Sequence, residues 1–106
     1  MVDYIDDTDF DAKVLKSDTI NVVLFRATWA GSSNFAYLDL ERAEKSFPQT
    51  AKAFYLDMDY SVKVPQTYSV NIYPTFLVFQ NGKEVFRYPS WPAPIDILGW
   101  ISDLKD

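Results

Sequence analysis

Two short apolar runs with an amphipathic helical pattern between them constrain this chain more than any other feature. Ile20-Asn21-Val22-Val23-Leu24-Phe25 is rich in β-branched residues and too short for a helix, so it predicts a buried strand. Ala53-Phe54-Tyr55-Leu56 predicts a second. Between them Ala36, Leu40, Ala43 and Phe47 recur at helical spacing, Glu41, Arg42, Glu44 and Lys45 fill the other side, and Pro48 ends the pattern. A strand, a crossover helix and a second strand make a βαβ unit, for which chain handedness leaves few topologies.

The flanking segments extend that unit. Asp6, Asp7 and Thr8 precede Phe10, Val14 and Leu15, so Thr8 or Asp9 is expected to cap a short amphipathic helix ending near Lys16. These acids lack the spacing and the glycine of a calcium loop and read as a solvated cap. Residues 60–70, with Pro65, fit another short helix. A strand from Pro74 to Phe79 leads into Asn81-Gly82, a strong hairpin signal, and Glu84 to Tyr88 is its antiparallel partner. Alternation there places Val85 and Arg87 on one face and Phe86 and Tyr88 on the other. Pro92 and Pro94 introduce a last helix striped by Ile97, Leu98, Ile101 and Leu104, with Trp100 assigned to the core. The order α, β, α, β, α, β, β, α implies an α/β fold, a three-layer α/β/α sandwich with a mixed central sheet, formed by residues 1–106 as one domain.

What the chain lacks bounds its chemistry. It has no cysteine and no histidine, which excludes an internal disulfide, a thiol redox cycle, a Cys/His zinc site and a Ser-His-Asp triad. No metal or other cofactor is expected. Ten basic against 15 acidic side chains, a net charge of -5, disfavour nucleic acid and anionic membrane as partners, since both are held largely by Lys and Arg. No apolar run approaches the ~20 residues that span a bilayer, and Met1 to Asp7 lacks the features of a secretion signal. A cytoplasmic protein, or a domain of something larger, is the expectation.

The first strand joins the long helix through Ala27-Thr28-Trp29-Ala30-Gly31-Ser32-Ser33. Turns of this kind are where α/β domains place their sites. This one holds an aromatic, a glycine and two hydroxyls, with no thiol, imidazole or carboxylate. A serine nucleophile needs a base within hydrogen-bond reach, and there is no histidine to serve. Ser32 and Ser33 are therefore expected to cap the helix.

Seven landmarks, in order, carry a family likeness: Phe10-Asp11, Val23-Leu24-Phe25-Arg26-Ala27, Trp29-Ala30-Gly31-Ser32-Ser33, Asp57-Met58-Asp59, Tyr68-Ser69-Val70, Tyr73-Pro74-Thr75 and Phe79-Gln80-Asn81-Gly82. From about Asp6 to Leu104 the chain resembles thioredoxin. That family carries Trp-Cys-Gly-Pro-Cys at the turn, so Ala30 and Ser33 stand at the two vestigial redox positions. The family's buried aspartate aligns with Leu24, the proline that kinks its long helix with Leu38, and the glycine after its last strand with Ser90. Pro74 alone is retained from the catalytic set. The resemblance implies that Tyr73-Pro74 is cis and turns the backbone of the preceding residue toward a bound extended peptide.

A buried carboxylate costs several kcal/mol unless paired, whereas a buried leucine contributes roughly 1.5–3 kcal/mol. Loss of thiol chemistry therefore removes the reason to keep an acid at position 24. The expectation is a redox-inactive binding or scaffolding module whose groove, formed by Trp29, Gly31, Ser32, Ile72, Tyr73, Pro74, Ser90 and Trp91, receives a protein or an extended peptide. The alternative is a thiol–disulfide oxidoreductase whose cysteines at positions 30 and 33 have been replaced. A structural domain with no ligand of its own is the third reading.

Overall fold

A computed structural model describes residues 1–104. Its centre is β2 (Ile20–Arg26), buried at all seven positions because both faces of the sheet are covered there. β3 (Ala51–Asp57) runs parallel to it, in register from Ile20 opposite Ala51 to Arg26 opposite Asp57. β1 (Asp3–Tyr4) adds in parallel to the outer edge of β3, with Asp3 opposite Phe54. On the other side β4 (Thr75–Gln80) is antiparallel, with Thr75 opposite Phe25, and β5 (Lys83–Tyr88) closes the edge through a bulge at Val78/Phe79. The sheet order is β1-β3-β2-β4-β5 and the sheet is mixed, as the sequence predicts. β1 is an addition. Two exposed residues offer no periodicity by which a strand could be foreseen.

The period-2 alternation of the strands sorts the core into two faces. Val22, Leu24, Ala53, Phe76 and Val78 meet Ala36 and Leu40 of α1 (Gly31–Glu44) and Ile97 and Ile101 of α3 (Pro94–Leu104). Val23, Phe25, Leu56, Leu77 and Phe79 meet Val14 of a helical turn, Asp11–Leu15, and Val64 of α2 (Lys63–Thr67). This is the three-layer α/β/α arrangement. Trp100 lies at its rim rather than in the core, half-buried under Phe76, Phe86 and Tyr88. Asn81 (φ 54°) and Gly82 (φ 78°) form the hairpin turn, with both residues left-handed as a type I′ turn requires.

The expected cap at Thr8 or Asp9 is met in part, by Asp9 acting together with Asp6 and not by Thr8. The first helix is a five-residue turn of π type, and its entry is organised by Asp6, whose Oδ1 accepts the Thr8 N–H (2.9 Å) and the Thr8 hydroxyl (2.6 Å). The Asp6 N–H in turn donates to Asp9 Oδ1 at 2.7 Å, so the two aspartates cap reciprocally. Bonding to Thr8 holds the Asp6 carboxyl below its usual range. Asp7 serves a different helix. Its carboxylate accepts the N–H groups of Val62 (2.8 Å), Lys63 (2.9 Å) and Val64 (2.9 Å), capping α2 from the far end of the sequence. Burial opposes ionisation of Asp7, but these donors together outweigh it and its carboxyl lies below the ordinary range.

Candidate functional site

Strand register builds the site. Because Phe25 faces Thr75 across an antiparallel pair, the chain leaving β2 toward Trp29 lies beside the chain entering β4 through Tyr73 and Pro74. Phe76 faces Tyr88 in the next pair, so the chain leaving β5 toward Ser90 starts beside the chain entering β4 from Pro74. Met58, just past β3, donates its N–H to the Arg26 carbonyl at 2.8 Å, which brings the β3–α2 loop alongside as well. Four chain segments thus meet at the end of the sheet where parallel strands terminate and α/β folds open a crevice.

At this end Trp29 is 66% exposed and stands edge-on to Tyr73, with ring centroids 5.2 Å apart at 76°. Edge-to-face pairs of this kind hold each other's orientation. Ile72 and Tyr73 are exposed, Pro74 is buried, and the Tyr73-Pro74 bond is cis. Among the described residues neither the N–H nor the C=O of Tyr73 has a hydrogen-bond partner. Gly31 and Ser32 are exposed, and a Cβ at Gly31 would meet nothing within 4 Å. The space above the turn is left open by this chain.

The expectation that Ser32 and Ser33 cap α1 is corrected. The N-cap is Ala30, and it makes no side-chain cap bond. Ser33 lies inside the first turn, where Cα–Cβ bonds tilt back toward the N-terminus, so its hydroxyl reaches the strand end instead. It is wholly buried, and its Oγ accepts the Ala27 N–H at 3.3 Å. Ser33 ties β2 to α1.

Arg26 was not singled out by sequence reasoning, although a cation closing an otherwise apolar run was the available signal. Its side chain is 8% exposed and its guanidinium lies over the rings of Tyr37 (4.5 Å) and Tyr55 (5.2 Å). Its Nη2 donates to Asn34 Oδ1, while Asn34 Nδ2 donates to the Thr28 carbonyl at 3.2 Å. The guanidinium therefore braces the turn through Asn34, and no carboxylate lies within ion-pair distance of it among the described residues. Leu24, on the same face of β2, is wholly buried between Tyr55 and Phe76 in register.

Trp91 is drawn into a different pair. It stacks on Phe35 of α1 at 5.2 Å and 11°, and its Nε1–H donates to Asp39 Oδ2 at 2.7 Å. Both rings are about half exposed (Phe35 54%, Trp91 46%). Phe35 carried no sequence signal, because its position fits the solvent side of the α1 pattern. The arrangement holds aromatic surface, unpaired backbone and hydroxyls at one end of the sheet.

A family model described as Thioredoxin matches residues 1–101 of this chain. The thioredoxin of Rickettsia typhi is 28% identical over 102 residues, covering 96% of this chain and 97% of that protein. The thioredoxin of Rickettsia bellii is 27% identical over 103 residues, 97% of this chain and 98% of its own. Thioredoxin-1 of Saccharomyces cerevisiae is 37% identical over 80 residues, 76% of each.

Proposed function

The chain belongs to the thioredoxin family, and from that premise we propose that it is a redox-inactive member that binds a protein partner's extended segment without exchanging disulfides. The observation that carries this reading is the pairing of Trp29 with Tyr73 beside a backbone whose N–H and C=O are unengaged. An extended peptide needs those two things, main-chain hydrogen bonds for affinity and an aromatic anchor for side-chain recognition. Thiol exchange needs a sulfur nucleophile, and the chain contains none. Ser33 and Leu24, buried where family members carry a thiol and an acid, support the fold around the groove.

The groove in this reading is Trp29, Ile72, Tyr73 and Pro74, with Gly31, Ser32 and Ser90 at its margin. Trp91 contributes from its stack with Phe35. Alanine at Trp29 and alanine at Tyr73 are each expected to weaken capture of an extended peptide by more than ~1 kcal/mol, measured by calorimetry. Unchanged affinity in both variants overturns the groove. The reading that cysteines belong at positions 30 and 33 rests on the thioredoxin relatives, and the natural gene tests it. Cysteine codons there would support an oxidoreductase, and Ala30 with Ser33 would end that reading.

No helix among the described residues is long and apolar enough to cross a membrane. A cytoplasmic setting, and a protein rather than a nucleic acid or membrane as partner, belong to this proposal.

A further inference from the structure

The ten basic side chains are not spread evenly over this fold. Residues 27–41, 64–82 and 88–104, which supply the turn, the Tyr73-Pro74 segment and the Ser90 loop, contain no lysine or arginine. Lys52 stands near the start of β3 and Lys83 at the hairpin, and the register that sets Ile20 beside Ala51 and Asn21 beside Phe79 puts both at the sheet end opposite the groove. Lys16 and Lys45 belong to that far end too, Lys16 before β2 begins and Lys45 at the close of α1.

The groove end carries the opposite sign. Asp59 is exposed in the loop that Met58 fastens to the Arg26 carbonyl, while Asp57 at the close of β3 is buried and Asp7, past the β1 edge, is engaged by the α2 N–H groups. The cations there are Arg26, which is buried over Tyr37 and Tyr55, and Lys63. Asp59 is the exposed carboxylate of that loop, and its field raises the local concentration of cationic ligands.

We infer that the groove beside Trp29 and Pro74 is built for a basic extended segment, with an arginine or lysine of the partner laid against the Trp29 ring and its charge facing Asp59. This rests on the reading of the groove as a peptide site and adds the chemistry of its occupant. The exposed indole supplies a π face, the strongest of the aromatic acceptors for a cation. The same contact recurs inside the fold, where the Arg26 guanidinium lies over Tyr37. An acidic segment would meet Asp59 with no arginine or lysine of the turn, Tyr73 or Ser90 segments to offset the repulsion.

Three capped pentapeptides test it: Val-Arg-Val-Arg-Val, the same peptide with glutamine for arginine, and the same with glutamate. Titrated calorimetrically at about 50 mM salt, the arginine peptide is expected to bind about tenfold more tightly than the glutamine peptide, and the margin is expected to shrink at about 300 mM salt. The glutamate peptide is expected to bind most weakly. Asp59→Asn is expected to weaken the arginine peptide about threefold and leave the glutamine peptide unchanged. Equal affinity for the arginine and glutamine peptides would overturn the charge preference while leaving the groove intact. Tightest binding of the glutamate peptide would reverse the preference outright. Absence of binding by all three would count against the groove itself.

Discussion

Replacing Leu24 by aspartate restores the side-chain type that the family's strand carries, and the structure assigns that change a large penalty. Leu24 has no exposed surface and sits between Tyr55 and Phe76 in register, under α1 and α3. Losing its apolar burial costs about 1.5–3 kcal/mol. Placing an unpartnered polar group in the same site adds about 1–3 kcal/mol. Leu24→Asp is therefore expected to destabilise the fold by roughly 3–6 kcal/mol while the carboxyl is protonated and by more at neutral pH, a large part of the ~5–15 kcal/mol available to a domain.

The pH dependence has a definite sign. Burial raises the pKa of the introduced carboxyl in the fold above its unfolded value, so its penalty is smallest below the unfolded pKa. The penalty grows as the pH rises from the unfolded pKa to the folded one, because the unfolded chain has given up its proton while the fold keeps it, and levels off above the folded pKa. Urea denaturation followed by tryptophan fluorescence, with wild type and variant compared at each pH, reads both quantities. A penalty below about 1 kcal/mol at neutral pH, or one that does not change with pH, would refute the reasoning. Either result would mean that the strand still accommodates an acid.

Other perturbations follow from the same geometry. Asp7→Ala removes the acceptor for three α2 N–H groups and is expected to cost about 1–2 kcal/mol at neutral pH. The folded pKa of Asp7 is lowered, so its contribution is present above the unfolded carboxylate value and fades as pH falls through the folded one; urea melts at neutral and acid pH will register the convergence of variant and wild type. Asn34→Ala strips the Arg26 guanidinium of its side-chain acceptor and frees the Thr28 carbonyl, for an expected loss of about 2 kcal/mol and faster amide exchange at Thr28 and Trp29. In Gly82→Ala the new Cβ stands 2.8 Å from the Leu15 carbonyl oxygen at φ 78°, and a drop in stability of more than about 1 kcal/mol is expected in thermal melts.

Long-period patterns were legible in the sequence and single contacts were not. The runs in β2, β3 and β4 and the α1 stripe each repeat a signal over several residues, and Asn81-Gly82 names its own turn. β1 escaped because it is held by pairing with β3 rather than by any pattern of its own. The caps at Asp6 and Asp7 depended on where side chains turn, and Asp7 reaches a helix more than fifty residues away, a tertiary fact invisible to local rules. Around the candidate site, the placing of Trp29 beside Tyr73 and the cis Tyr73-Pro74 bond were legible through the resemblance. Ser33 was placed at a cap because hydroxyls favour helix starts, but it lies inside the helix and bonds backward. Arg26, Asn34 and Phe35 owe their roles to neighbours brought in by the fold.

The central claim is that the backbone and aromatics beside Pro74 receive an extended peptide. Amide and indole resonances followed by nuclear magnetic resonance, during titration with the Val-Arg-Val-Arg-Val peptide, test it most directly. The account predicts shifts concentrated at the Trp29 indole and the Ile72 and Tyr73 amides, with Ala30 to Ser32 moving beside them and the hairpin at Asn81-Gly82 silent. Shifts confined to Phe35 and Trp91, or to the far end of the sheet near Lys52 and Lys83, would contradict it.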